Sequence, residues 1–178
     1  MSEANAEQLI KLFNTLFLES HNTMLVRGED EPVYLPADDV SPHHRVIFAH
    51  GFFASALHEI AHWCVAGEAR RQLEDFGYWY KPDGRTVQEQ SLFEQVEVAP
   101  QALEWIMTQA CGQKFNFSAD NLSAGIGASP AFMAKVQARV LHYLEVGLPD
   151  RHKQLVESML SLYEQPALHP DQFVLDGR

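Results

Sequence analysis

The segment His58-Glu59-Ile60-Ala61-His62 limits this chain's fold more than any other. It lies in a run that carries Leu57, Ile60, Ala61, Trp63, Cys64 and Val65, so most of the segment has to be buried. The run reads as one helix over residues 54–73. Histidines four apart on a helix share a face, one turn apart. A buried imidazole needs partners for its nitrogens. Two on one face are readily satisfied by one shared cation, ~2.0–2.1 Å from each nitrogen. Glu59 is adjacent and can reach a water or substrate on that cation. The pattern H-E-x-x-H on a helix is that of zinc hydrolases. The alternative is a pair of core histidines bonded to carbonyls. A cation here requires the fold to bring a further ligand to this helix.

The segment 91–100 offers two such carboxylates, Glu94 and Glu97, in mostly apolar surroundings. In metallohydrolases whose third ligand is a glutamate, that residue comes from a helix downstream of the histidines. Glu97 stands between Val96 and Val98, and a buried carboxylate needs a cation, so it is preferred. Glu94 would then support a ligand or face solvent. Two histidines and one carboxylate leave coordination positions open, which permits catalysis. Zinc hydrolysis and non-haem iron oxygen chemistry both use this set, and the ligands alone do not choose between them.

The rest of the chain reads as a helix-rich α+β fold with a few short strands, a single domain over residues 1–178. Leu9, Leu12, Phe13, Leu16 and Phe17 mark one face of a helix over 3–20. Short strands are expected at 23–27 and 33–35, as a hairpin around Gly28-Glu29-Asp30-Glu31. A loop covers 36–44 and a buried strand 45–49. An aromatic strand is expected at 76–80, then a Pro82-Asp83-Gly84 turn. Thr86 with Glu89 forms a capping box that starts a helix. That helix should stop before Pro100, and a new one should cover 101–110. A strand at 114–117 and a loop at 120–129 follow. Ser129-Pro130 opens a helix to 146, and Asp150 caps a last helix to 164. The tail from 166 is expected to be irregular.

Composition excludes several classes. The formal charge is −11, from 13 basic and 24 acidic residues, which repels phosphate backbones and anionic membranes. Direct nucleic-acid and membrane partners are therefore not expected. The two cysteines, Cys64 and Cys111, form no CxxC and read as buried thiols of a reducing, cytoplasmic compartment. The first residues are unlike a signal peptide. Among secondary candidates, His43-His44 reads as an exposed loop pair. His50 and the Tyr78-Trp79-Tyr80 triplet read as packing, and Arg70-Arg71 as the basic end of the histidine helix.

Longer strings carry a resemblance. The run from Val46 to Cys64, the string Asp75-Phe76-Gly77-Tyr78-Trp79-Tyr80 with Pro82-Asp83-Gly84-Arg85, Phe93-Glu94 through Leu103, and Asp30-Glu31-Pro32-Val33-Tyr34-Leu35-Pro36-Ala37 resemble the bacterial elongation factor P hydroxylases. The resemblance covers most of the chain and is weakest in the last quarter. It implies a non-haem monooxygenase that hydroxylates the β-lysyl-modified lysine of elongation factor P. It implies a divalent metal, Fe(II), with dioxygen as co-substrate and a reductant that the residues do not identify. The implied ligands are His58 and His62, with Glu97 as the matching acid, and Glu59 would orient water or relay protons. No pattern marks a 2-oxoglutarate site. The rival readings are a zinc metallopeptidase, which the five-residue motif favours on its own, and a non-catalytic protein that uses the histidines structurally.

Overall fold

A computed structural model describes residues 5–74, 86–118 and 128–175. It shows a helix-rich α+β fold with a small sheet. Helix α1 spans Ala6–His21, capped by Asn5, whose side chain accepts the Gln8 N–H at 2.9 Å. Its Leu9, Phe13 and Phe17 are fully buried, as the periodicity predicts. Strands β1 (Thr23–Arg27), β2 (Val33–Leu35) and β3 (His44–Phe48) follow, then α2 (Phe53–Val65). Helices α3 (Val87–Ala110), α4 (Pro130–Val146) and α5 (Asp150–Leu162) complete the described elements.

The expected hairpin does not form. The strand order is β1-β3-β2, with β1 parallel to β3 and β2 antiparallel to it. β3 takes the centre because it carries Val46 and Phe48, both buried, whereas all three β2 residues are half-buried at an edge. Gly28 extends the pairing of β1 along β3, its N–H donating to the Phe48 carbonyl at 2.8 Å. A Cβ at Gly28 would collide with Ile47 Cγ2 and stand 3.2 Å from the Phe48 carbonyl oxygen. The glycine is required by close approach rather than by a turn. Gly28→Ala should cost about 2 kcal/mol by overpacking, lowering the thermal midpoint by roughly 4–8 °C in a melt.

Pro100 lies inside α3 instead of ending a helix before it. It removes the N–H that would bond the Val96 carbonyl, a loss of ~3 kcal/mol or more. Leu103, Trp105, Ile106 and Met107 beyond it are almost wholly buried, each burial contributing ~1.5–3 kcal/mol. Packing outweighs the proline. Thr86 caps α3 as expected, accepting the Glu89 N–H at 3.2 Å, and Ser129 caps α4, accepting the Phe132 N–H at 3.0 Å.

Helix α2 ends at Val65, earlier than expected. Arg71, on a short 3-10 turn over Arg70–Gln72, reaches back to its last carbonyls. It donates to Trp63 O at 3.1 Å and Cys64 O at 3.3 Å. The arginines thus serve the helix end from outside it. Residues 114–117 form no strand, and Asp150 is the first residue of α5, with Pro149 at its cap. Pro170–Gln172 adds a 3-10 turn to the tail. The expected strand at 76–80, its turn, the aromatic triplet and most of the loop at 120–129 lie outside the described residues.

His152 on α5 is 4% exposed, and its Nδ1 has no hydrogen-bond partner among the described residues. Burial, with the Arg151 and Arg71 charges, holds its pKa down at about 4. The unfolded chain therefore takes up a proton before the folded one does. Stability should fall as pH drops from about 7 to 5, by roughly 2 kcal/mol from this residue. Denaturant unfolding at the two pH values should show that loss, and His152→Leu should reduce it.

Candidate metal centre

Helices α2 and α3 build the site. His58 and His62 lie one turn apart on α2, with ring centroids 4.7 Å apart. Facing them on α3 are Glu97, Gln101, Glu104 and Thr108, spaced 4, 3 and 4 apart and therefore in one stripe, all buried. The continuity of α3 through Pro100 keeps them in phase.

Ligand atoms of His58, His62 and Glu97 all lie within 4.8 Å of one another. His62 Nε2 is 3.1 Å from Glu97 Oε1, and the other carboxylate oxygen, Oε2, accepts the Gln101 amide at 3.3 Å. Gln101 Oε1 in turn accepts the Ser118 N–H at 3.2 Å. His58 Nδ1 is 2.5 Å from Glu104 Oε1. A carboxylate that takes the Nδ1 proton fixes the ring and leaves Nε2 as the nitrogen open to a cation. Glu104 was not anticipated from the sequence. Glu94 turns elsewhere: both its oxygens accept from Ser129 Oγ, at 3.3 and 3.4 Å, at the start of α4. Between the two acids the sequence offered, geometry brings Glu97, not Glu94, to the histidines.

The groups of the cluster shift one another's ionisation. Three carboxylates, Glu59, Glu97 and Glu104, surround two imidazoles. Burial alone would push His58 down, but Glu104, Glu97 and Glu59 outweigh it and hold it at about 10. Burial would raise Glu97, yet His62, His58 and the Gln101 bond bring it to about 2. Burial pushes Glu59 up, with the two imidazoles opposing. A buried carboxylate such as Glu97 needs positive charge beside it, which either imidazolium protons or a divalent cation supplies. The nitrogen and oxygen donors suit a first-row metal with positions left open. Access is one-sided: the His58 side chain keeps 27% exposure against 4% for Glu97.

Other candidates sit apart. His43 and His44 are half-buried rather than exposed; His44 Nδ1 accepts the Ala37 N–H at 2.9 Å, and its ring stacks on Tyr34. His50 is exposed rather than packed in the core, with its ring against the exposed Phe52 and its Nδ1 3.7 Å from Asp30. Both cysteines are buried free thiols. No helix of the described residues is long and apolar enough to cross a membrane.

Two imidazoles and a carboxylate, gathered on facing helices with coordination positions to spare, match the donor set of metal-dependent enzymes with an open site. Residues 12–173 match the elongation factor P hydroxylase family. A protein of Haemophilus influenzae described as elongation factor P lysine hydroxylase is 52% identical over 161 residues, 90% of each chain. The chain belongs to the elongation factor P hydroxylase family.

Proposed function

We propose that this chain hydroxylates the β-lysyl-modified lysine of elongation factor P, at a ferrous ion held by His58, His62 and Glu97. The observation that carries the reading is the 52% identity to an elongation factor P lysine hydroxylase across nine-tenths of both chains. The cluster supplies the donor set such chemistry needs. Ferrous iron, when bound, would supply the electrons that let dioxygen attack an unactivated C–H bond.

The protein's own residues do the rest. Glu104 holds the His58 ring, and Gln101 holds the Glu97 carboxylate, so neither donor has to be ordered when a metal enters. Glu59, with its carboxyl pushed up by burial, lies beside the cluster and would orient water or relay protons. In the overall reaction one oxygen atom enters the C–H bond. The other leaves as water, with two protons and two electrons from an external reductant. The substrate side chain is long and cationic, and the chain's net charge of −11 favours its approach. Residues 1–178 act as one domain in the cytoplasm, with elongation factor P as partner and neither nucleic acid nor membrane in contact.

Mass spectrometry of β-lysylated elongation factor P, incubated with the chain, ferrous iron and a reductant in air, tests this. A gain of one oxygen atom on the modified lysine is expected. An unmodified mass with every reductant tried would reject the reading.

A further inference from the structure

A second built feature lies on another face of α2. Trp63 follows His62 and so points about 100° further round the helix. It walls a cavity of about 250 Å³, which His21, His44, Glu68, Arg71 and Arg151 also line. Ligand sites of drug size run to ~300–1,000 Å³, so this one suits a small metabolite.

The cavity is cationic in a chain of net charge −11. The Arg151 guanidinium carbon is 4.5 Å from the Trp63 ring centroid and that of Arg71 is 5.7 Å from it. Two guanidiniums are thus gathered on one ring against their mutual repulsion. Arg71 spends donors on the end of α2. Among the described residues Arg151 has no ion pair, and its Nη1 is shut away without an acceptor. Arg151 is half-buried and lines the cavity. His44 accepts a backbone N–H at Nδ1, so its proton sits on Nε2 as a neutral donor. The lone carboxylate of the lining, Glu68, is exposed.

We infer that this cavity binds a small metabolite through an oxyanion group, phosphate or carboxylate, held between Arg71 and Arg151. Guanidinium forks match both groups. The site stands apart from the imidazole–carboxylate cluster and does not depend on the hydroxylase reading.

Calorimetric titration of the full chain with inorganic phosphate and with malonate, at ionic strength balanced with chloride, tests the inference. Saturable binding of at least one is expected, and the tighter of the two gives the oxyanion class. Arg151→Gln should weaken it roughly tenfold or more. Glu68→Gln, at an exposed position, should tighten it roughly twofold to fivefold and keeps the test intact if the arginine variant fails to fold. Lys153→Gln, which removes a charge outside the cavity, should leave it unchanged. No saturable binding of either anion overturns the inference. So does undiminished affinity in a folded Arg151→Gln chain, or an equal loss in Lys153→Gln.

Discussion

Replacing Glu97 with glutamine should leave a folded chain that no longer hydroxylates elongation factor P, with turnover down by more than about a hundredfold. The side chain keeps its shape and its contact with Gln101, 3.3 Å away. The change removes the anionic oxygen that stands 3.1 Å from His62 Nε2. The imidazoles of His62 and His58 attract the Glu97 carboxylate, so losing its charge should lower the melting temperature by several degrees while the chain still folds. His62→Ala should abolish turnover more completely, by about a thousandfold or more. It also strands the Glu97 carboxylate in a buried setting, a cost of ~3–5 kcal/mol. The pair of variants therefore separates loss of chemistry from loss of fold. The assay is mass gain on the substrate protein, read beside a thermal melt.

Glu104→Ala should have the next largest effect. It removes the carboxylate 2.5 Å from His58 Nδ1 and frees the ring to rotate. Loss of such a support weakens metal affinity by about 10–100-fold. Competition with a chelator of known affinity measures it. Glu94→Ala is the matched control on the same helix. It loses a bond to Ser129 worth ~0.5–1.5 kcal/mol but touches neither histidine, so metal affinity should hold. Equal weakening in both variants would mean that helix charge, rather than the His58 contact, governs binding.

The contrast between these two acids shows where the sequence was readable. Local signals held: the apolar face of α1, the bounds of β1 and β2, and the caps Thr86 and Ser129 all match the structure. Spacing alone put His58 and His62 on one helical face. Non-local facts escaped. Gly28-Glu29-Asp30-Glu31 has the composition of a turn, yet β1 and β2 flank β3, and only the pairing partner reveals that Gly28 is needed for clearance from Ile47. Pro100 carried the costliest misreading. Taken as a helix boundary, it breaks the phase between Glu97 and Glu104. With α3 continuous, a lone acid among Ala102, Leu103, Trp105 and Ile106, seven residues past Glu97, is marked as facing the same way. That signal was present in the sequence, and the local rule for proline hid it. The basic cavity had no sequence signature at all, because Trp63, Arg71 and Arg151 meet only once α5 has packed.

The central claim is that three side chains on α2 and α3 hold one metal ion. Ferrous iron bound per chain, measured after anaerobic reconstitution and desalting, tests it most directly. The account predicts one ion per wild-type chain, and none retained when His58 and His62 are both replaced by alanine in a chain that still folds. Retention of the ion by that double variant, or failure of the wild-type chain to hold any, would contradict it.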